Sequence, residues 1–383
     1  MTPHTSTLDI LDRLIAFPTV SADTNLPLIN YVEDLLQAAG FQTQRIPDPD
    51  GAKSGLVARI GGAGGGGVLL SAHSDVVPVE GQAWTRPPFQ LTREGGKLFG
   101  RGTTDMKGFL ASMLSLAQRA GYTALRHPLM LSISYDEEVG CIGMRKMLPD
   151  FQQLGWKPDL CVVGEPTLMK PATGHKGKAA LRATCRGIAG HSALAPRYVN
   201  ALHLAVDFVT ALRAIQEGYA TSENPDMAYD IPYSTVHAAR ILGGVALNIV
   251  PEHATVDFEL RHLPGDNLQA FQDRLAKACA RIVARYPDPG IGIDIEVTYT
   301  YPGLEIAPDN IAVQRVAGLC GSNDLTKVAF GTEAGYFAGL GIPSVVCGPG
   351  SMAGQGHKAD EFVSMDQLAA CDAMMDRLLD QLR

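Results

Sequence analysis

The sequence has no closely spaced cysteines. Its seven cysteines are scattered through the chain, and none forms a C-x-x-C pair. They are Cys141, Cys161, Cys185, Cys279, Cys320, Cys347 and Cys371. An odd, dispersed set in a long chain is typical of reduced, mostly buried thiols in the cytoplasm. The pattern argues against a zinc site built from thiolates, so any metal would have to be bound by His, Asp and Glu.

Long apolar runs and basic clusters are missing as well. No stretch of about 18 uncharged apolar residues occurs, so we expect no membrane-spanning segment. The N-terminal stretch "MTPHTSTLDILDRLIAF" has no basic start followed by an apolar stretch, and we therefore expect no signal peptide. The formal net charge is −8 without a basic patch, which argues against a nucleic-acid partner.

Strand-type and helix-type patterns alternate along much of the chain. Its 383 residues are 46% apolar, which is enough for two domains with a sizeable core. Amphipathic periodicity predicts helices over 8–17, 26–39, 106–120 and 365–382. Apolar runs predict strands over 42–46, 56–60, 68–72, 128–135 and 159–164, and in "IPSVVCGPG". The glycine-rich stretch over 61–67 lacks a phosphate-binding pattern and is predicted to be a flexible turn. This alternation indicates an α/β layered domain.

The pattern changes near Lys176. "KAALRATCRG" and "ATVDFELRH" alternate apolar and polar residues, as in strands that bury one face. Helices are predicted over 199–216 and 267–286, so two helices should cover one side of an antiparallel sheet. After Pro302 the α/β pattern returns. We therefore predict a first domain formed by residues 1–176 and 302–383, interrupted by a smaller α+β domain over 177–301.

Acidic residues and histidines follow several of the predicted strands. They are His73, Asp75, Glu137, Glu138, Glu165 and His357, to which Asp105 adds a carboxylate at the start of a helix. The loops after parallel strands share one edge of a sheet, where ligands bind. Several carboxylates meeting there would repel one another and could not all stay ionised. A bound cation resolves this conflict.

Each of these residues also has an ordinary structural interpretation. Asp105 could be a helix cap, a Glu-Glu pair is usually a solvated turn, and His357 could lie on the surface. The joint pattern favours metal. Two histidines with three carboxylates suit two zinc ions, or cobalt as the alternative, better than calcium. Because adjacent glutamates point in different directions, one of them can ligate while the other takes a proton from water.

Five segments resemble the metal-site motifs of the co-catalytic zinc aminoacylase and exopeptidase family. They are "LLSAHSDVVP", "GRGTTDMKG", "SYDEEVGCIG", "VVGEPT" and "GPGSMAGQGHKADEFV". The family includes acetylornithine deacetylase, succinyl-diaminopimelate desuccinylase and carboxypeptidase G. The resemblance covers essentially the whole chain in order, and it is greatest to the bacterial acetylornithine deacetylase branch. It implies a mixed-sheet α/β metallohydrolase domain interrupted by an α+β lid and dimerisation domain.

The resemblance also implies a role for each metal-site residue. His73 and Glu165 would hold one ion, and Glu138 and His357 the other. Asp105 would bridge the two ions. The remaining two carboxylates would assist: Asp75 would lie behind His73 and fix its tautomer, and Glu137 would be the general base.

Three residues of the inserted domain match further family segments. His191 lies in "GIAGHSALAP" and would stabilise the tetrahedral oxyanion in the active site of the partner subunit of a homodimer. Asn248 in "VALNIVPE" and Arg261 in "VDFELRHLPG" would contact the substrate. The planar guanidinium of Arg261 suits a free α-carboxylate. From the residues alone, a strand-end or capping role is favoured for His191, and Arg261 could form a surface ion pair.

One segment departs from the desuccinylase pattern. Those relatives carry an arginine shortly before the last metal histidine, whereas this chain has "FGTEAGYF" with Glu333. An acidic acyl chain would meet Glu333 instead of a cation, and Glu333 could attract the ammonium group of ornithine. The resemblance therefore implies removal of a small acyl group from an N-acyl amino acid, with N-acetylornithine favoured. Another N-acyl amino acid hydrolase, a small dipeptidase or a non-catalytic ligand-binding relative are the alternatives.

Overall fold

A computed structural model describes residues 5–62 and 66–383. The predicted glycine-rich turn lies partly outside the described residues, because it includes positions 63–65. Within the described ranges, no helix combines the length and the apolar character needed to cross a lipid bilayer.

Each helix predicted from periodicity is present in the described residues, with bounds that agree to within a few residues. Further helices were not predicted. They are α1 (Thr7–Ile15), α2 (Leu26–Ala38), α3 (Lys107–Ala120), α4 (Ile142–Gln153), α5 (Ala201–Ala220), α6 (Leu268–Val283), α7 (Ile311–Cys320), α8 (Ala334–Gly339) and α9 (Met365–Leu382). A short 3-10 helix covers Ser192–Arg197. The helix α4 was missed, since its sequence contains Pro149 and its N-cap residue Cys141 is in the left-handed conformation.

The strands are numbered in chain order. They are β1 (Gln42–Pro47), β2 (Ser54–Ile60), β3 (Val68–His73), β4 (Thr92–Glu94), β5 (Lys97–Phe99), β6 (Leu129–Ser134), β7 (Leu160–Val163), β8 (Ala172–His175), β9 (Gly177–Arg186), β10 (Gly190–His191), β11 (Thr235–Gly243), β12 (Ile249–Val250), β13 (His253–His262), β14 (Gly292–Tyr301), β15 (Leu304–Glu305), β16 (Thr326–Val328), β17 (Ser344–Val346) and β18 (Phe362–Ser364).

The chain folds as two compact units. The first contains residues 1–174, 304–328 and 332–383 where they are described, and the second contains 175–303 and 329–331. The second unit is thus an insertion into the first. Its role as a lid and dimerisation domain stays a prediction.

The first unit is built on a mixed sheet with the strand order β1-β2-β6-β3-β7-β17-β8-β15, and β16 pairs with β8. Its centre is parallel: β3 pairs in parallel with β6 and β7, and β17 pairs in parallel with β7. The central strands β3, β6 and β7 are buried along their whole length, as their continuous apolar sequences predict. The predicted α/β fold class is confirmed. Four parallel strands therefore end at one edge of the sheet.

Helices α1, α2, α3 and α9 contribute to the same apolar core as the central strands. The helix α3 is buried on nearly all sides, and its residues Phe109, Leu110 and Met113 are fully inaccessible. A helix enclosed in this way is a rigid support for the residues at its N-terminus. Asp105 lies two residues before Lys107, the first residue of α3, and Met106 is the N-cap.

The inserted unit has a four-stranded antiparallel sheet in the order β11-β13-β9-β14. Buried and more exposed residues alternate along β9 and β13, so one face of the sheet carries the core. Helices α5 and α6 pack on that face, with Phe208 and Phe271 fully buried there. This agrees with the predicted arrangement of two helices on one side of an antiparallel sheet.

Candidate metal centre

Neighbouring parallel strands deliver the candidate ligands to one edge of the sheet. His73 is the last residue of β3, and Glu165 follows β7 by two residues. The Glu137-Glu138 pair follows β6, and the loop after β17 carries His357. Because these four strands are adjacent in the order β6-β3-β7-β17, residues distant in sequence meet at this edge.

Asp105 lies between the two histidines. Its Oδ1 is 3.0 Å from Nε2 of His73, and its Oδ2 is 3.0 Å from Nε2 of His357. The same Nε2 atom of His357 also lies 2.9 Å from Oε2 of Glu138. A carboxylate that offers a different oxygen to each imidazole has the arrangement needed for a ligand shared between two ions.

Two groups of ligand atoms, which share His73, are each compact enough by themselves to hold an ion. In one, His73, Glu137 and Glu165 each offer an atom within 4.8 Å of the others. In the other, His73, Asp105 and Glu138 do the same. Oε1 of Glu165 is 3.7 Å from Nε2 of His73. The mixed nitrogen and oxygen donors are those that zinc and related ions use.

The surroundings of the three glutamates of this cluster disfavour their ionised forms. Burial, with the charge of Asp105 second, raises the pKa of Glu138 to about 7. Burial also raises the pKa of Glu137 and of Glu165 well above the usual value. Carboxyl groups this close to one another cannot all be ionised unless positive charge compensates them.

The two imidazoles respond in the opposite direction. Burial lowers the pKa of His357, but its hydrogen bonds with Asp105 and Glu138 outweigh burial and raise that pKa to about 10. Burial of His73 is likewise outweighed, chiefly by Asp105 and Glu165, so its pKa lies well above the usual value. Burial of Asp105 is outweighed by the two imidazoles, which lower its pKa. The cluster therefore attracts positive charge, and protons on the histidines provide it when no other cation does.

An orphaned ligand atom indicates that the cluster fits metal ions better than protons alone. The Oε1 atom of Glu138 is buried and has no hydrogen-bond partner among the described residues. A buried carboxylate oxygen without a partner costs free energy unless it coordinates something. The residues present therefore fit a pair of divalent ions.

Asp75 has a different set of contacts from the one predicted. Nδ1 of His73 is 2.9 Å from the backbone oxygen of Asp75 and 3.6 Å from its carboxylate Oδ1. The carboxylate instead accepts hydrogen bonds from the backbone N–H groups of Glu137, at 3.1 Å, and of Glu138, at 3.3 Å. The backbone carbonyl is thus the nearer partner of the imidazole, and the side chain holds the Glu-Glu loop. A direct role of the carboxylate in setting the tautomer of His73 stays a prediction.

A buried ion pair that the sequence reasoning missed supports Asp105. Oε1 of Glu361 accepts hydrogen bonds from the backbone N–H groups of Thr104, at 3.0 Å, and of Asp105, at 3.1 Å. Its Oε2 lies 2.5 Å from the guanidinium of Arg101, and both side chains are almost inaccessible. Arg101 and Glu361 lie in two different quoted motif segments. Their opposite charges were the sequence signal from which this ion pair could have been predicted.

Glu333 lies beneath the same edge of the sheet. It is 1% exposed, and its Oε2 is 3.4 Å from the hydroxyl of Ser71 on β3. Its Oε1 has no hydrogen-bond partner among the described residues. Burial raises the pKa of Glu333 to about 7. An ammonium group of a substrate could reach this carboxyl only if the residues around it moved, so the predicted contact with ornithine stays a prediction.

His191 and Asn248 are neighbours in the inserted unit. β10 pairs with β12 so that His191 is opposite Ile249, and the N–H of Ser192 donates to the backbone oxygen of Asn248 at 3.0 Å. Both residues are exposed. Nδ1 of His191 accepts a hydrogen bond from the N–H of Ala193 at 3.1 Å. In the neutral ring the proton is then on Nε2, which can donate to an oxyanion.

Arg261 lies near the end of β13, on the same unit. Its Nε donates to Oε1 of Glu259 at 2.8 Å, and Nζ of Lys178 lies 2.8 Å from the other oxygen of Glu259. The side chain of Arg261 is 35% exposed. The bond to Glu259 uses one of the five guanidinium N–H donors and leaves four. Arg261 can therefore form this ion pair and still bind the carboxylate of a substrate.

Comparison with curated sequences identifies relatives over nearly the whole chain. An acetylornithine deacetylase from Proteus mirabilis is 34% identical over 382 residues, which cover 97% of this chain and 96% of the relative. An acetylornithine deacetylase from Klebsiella pneumoniae is 33% identical and covers 93% of this chain and 92% of the relative.

Solved structures share the fold at lower identity. A metallo-carboxypeptidase of the M20 family from Sulfolobus solfataricus superimposes with a TM-score of 0.78, 19% identity and 98% coverage of both chains. A tripeptidase from Staphylococcus aureus gives a TM-score of 0.78, 16% identity and coverage of 99% and 98%. The family model for peptidase family M20/M25/M40 matches residues 69–381, which include every candidate metal ligand. The resemblance seen in the motifs is confirmed: the chain belongs to peptidase family M20/M25/M40.

Proposed function

We propose that this chain is an amide hydrolase that removes the acetyl group from N-acetylornithine and releases ornithine and acetate. The observation that carries the proposal is the convergence of two histidines and several carboxylates at the ends of adjacent parallel strands. The identity of about a third to curated acetylornithine deacetylases supports the choice of substrate.

Two divalent ions would be held by this chain, zinc by preference and cobalt as the alternative. His73 and Glu165 would hold one ion and Glu138 and His357 the other. Asp105, which approaches both imidazoles, would be shared. When bound, the ions would supply Lewis-acid activation of the amide carbonyl and of the attacking water.

Glu137 would move the proton. Its side chain is half-buried, and desolvation raises its pKa, as a general base working near neutral pH requires. Its backbone N–H donates a hydrogen bond to the carboxylate of Asp75, which fixes the backbone from which the Glu137 side chain extends. Glu137 would accept a proton from the attacking water and then donate it to the nitrogen of the leaving amine.

Substrate recognition would be the task of the inserted unit. Arg261 would bind the α-carboxylate, and Asn248 would contact the substrate. His191 would donate from Nε2 to the oxygen that becomes negatively charged in the transition state. Glu333 would be the acidic group for the ornithine ammonium, after a local rearrangement.

The chains would pair through the inserted unit as a homodimer. The strand β11 is an edge strand, and exposed apolar side chains lie on it and shortly after it, up to β12. They are Ile241, Leu242, Val245, Leu247 and Ile249, of which Leu247 is the most exposed. An unpaired edge beside exposed apolar residues is a surface that a second chain can cover. The same proposal places the protein in the cytoplasm, as its reduced cysteines suggest.

A substrate panel tests the proposal. Purified enzyme is assayed with N-acetylornithine, N-acetylleucine, N-succinyl-diaminopimelate and an unsubstituted dipeptide. We expect the highest kcat/KM for N-acetylornithine. Preference for the succinyl compound would assign a desuccinylase, and preference for the dipeptide would assign a peptidase. Glu333→Gln should lower the ratio of kcat/KM for N-acetylornithine over N-acetylleucine if Glu333 recognises the ammonium group.

A further inference from the structure

The carboxylate of Asp75 connects two of the four strands whose ends carry the candidate metal ligands. It follows β3, and it binds the backbone N–H groups of both residues of the Glu137-Glu138 pair, which follows β6. It is 3% exposed. The position of this carboxylate therefore determines the backbone positions of Glu137, the proposed base, and of Glu138, a proposed metal ligand.

A third donor to this carboxylate comes from a segment far away in the sequence. The hydroxyl of Ser21 donates to Oδ2 of Asp75 at 2.7 Å, and both groups are buried. This bond is charge-assisted, which makes it stronger than a bond between neutral groups. Oδ2 also accepts the N–H of Glu138, so one oxygen receives both the hydroxyl and the loop.

The segment that carries Ser21 is itself held in place. Val20 and Val76 form a parallel bridge, in which the N–H of Ser21 donates to the oxygen of Val76 at 3.2 Å and the N–H of Val76 donates to Thr19 at 2.9 Å. The Nζ of Lys53 donates to the backbone oxygen of Ser21 and to Asp136, the residue before Glu137. Ser21 thus has a fixed backbone from which its hydroxyl can orient another side chain.

We propose that Ser21 is a positioning residue, which acts through Asp75 to set the Glu137-Glu138 loop and thereby both the affinity for metal and the rate of catalysis. The part that concerns the rate rests on the proposed amide hydrolase function. The part that concerns metal affinity does not. None of the five quoted motif segments includes Ser21, which lies in "FPTVSAD".

The first experiment removes the hydroxyl. Ser21→Ala should lower the affinity for zinc by roughly 10–100-fold, as measured by competition with a chromophoric chelator. It should lower kcat for N-acetylornithine by a similar factor with little change in KM, because no substrate contact is lost. Ser21→Thr, which keeps a hydroxyl, should retain most of the wild-type zinc affinity and kcat.

A matched variant separates positioning from general stability. Thr19 is as buried as Ser21, two residues away, and its hydroxyl donates to the backbone oxygen of Ser74 at 2.6 Å instead of to a carboxylate. Thr19→Val should lower the melting temperature but keep the zinc affinity and kcat near those of the wild type. Equal losses of affinity in Thr19→Val and Ser21→Ala would overturn the proposal, since stability alone would then explain both.

A double variant tests whether Ser21 acts through Asp75. Ser21→Ala should add no further loss of zinc affinity to a chain that already carries Asp75→Ala, because the acceptor is gone. Additive losses would contradict the proposal. If the wild type hydrolyses none of the N-acyl amino acids, the proposed function fails while the zinc measurements still decide the role of Ser21.

Discussion

Nε2 of His357 lies 2.9 Å from Oε2 of Glu138, although one residue follows β17 and the other follows β6. The inserted unit separates them in sequence. The other oxygen of Glu138 is buried without a hydrogen-bond partner in the described ranges. The pair of His357 and Glu138 is therefore the most direct structural indication of a second metal ion.

Metal content should depend on this pair. The purified protein should bind about two divalent ions per chain, and His357→Ala should lower that number by about one. Chelation should abolish activity, and zinc or cobalt should restore it. Elemental analysis alongside an activity assay provides the measurement. Full activity in a sample shown to be free of metal would contradict the two-ion centre.

Metal binding should release protons at neutral pH. The raised pKa values of His357, about 10, and Glu138, about 7, mean that the metal-free cluster holds protons at pH 7. Ligands must lose these protons to bind an ion, so affinity should rise as the pH rises from about 6 towards 10. Titration calorimetry in buffers with different ionisation enthalpies counts the protons. The number should fall in His357→Ala, and an affinity independent of pH would refute the assignment of this histidine.

The Glu-Glu pair should divide into a base and a ligand. Glu137→Gln should retain metal but lose roughly 10²–10⁴-fold in kcat, because the amide cannot accept a proton from water. Glu138→Gln should instead weaken metal binding. Each variant is assayed for metal content and for activity at saturating zinc. Recovery of Glu137→Gln by added zinc would mean that the two roles are reversed.

Arg261 should control the affinity for a free carboxylate. Arg261→Ala should raise KM for N-acetylornithine by roughly 10–100-fold, since hydrogen bonds to a charged group are lost. It should change little with the corresponding α-amide. Arg182→Ala is a matched control, because Arg182 is an arginine of the same sheet that pairs with Asp257 at 2.6 Å. A similar loss in both variants, or an equal loss with the amide, would argue against carboxylate binding.

The place of His191 can be tested by mixing subunits. His191→Ala should lower kcat by about 10²–10³-fold with unchanged metal content, as for other oxyanion donors. If His191 serves the partner's site, heterodimers of His191→Ala and Glu137→Gln contain one intact site and regain part of the activity. The assay requires proof of subunit exchange, for example by native mass spectrometry. No recovery after proven exchange would place His191 in the site of its own chain or outside the mechanism.

The metal ligands could be predicted from sequence because they lie at recognisable places. Buried parallel strands have continuous apolar sequences, and the polar residues that follow them must share an edge. His73 and Glu165 follow this rule directly. The α/β class follows from the same patterns, and periodicity placed α3 and α9 to within one residue.

The supporting residues could not be predicted in the same way. Glu361 supports Asp105 through backbone N–H groups, which any residue could supply, so its buried ion pair with Arg101 was the available signal in the sequence. Ser21 is a common residue in an unremarkable segment, and only the bridge between Val20 and Val76 brings it to Asp75. The resemblance implied that the carboxylate of Asp75 lies behind His73, whereas the backbone oxygen of Asp75 makes the shorter contact with the imidazole.

The position of β17 has a consequence for how the protein is made. This strand lies between β7 and β8 in the sheet, yet it is synthesised only after the entire inserted unit. A chain still growing on the ribosome would therefore have β7 as an open edge and would lack His357. The sheet can close and the second pair of metal ligands can meet only after β17 and the loop with His357 have been synthesised. Uptake of the second ion would then distinguish these chains from chains truncated before β17.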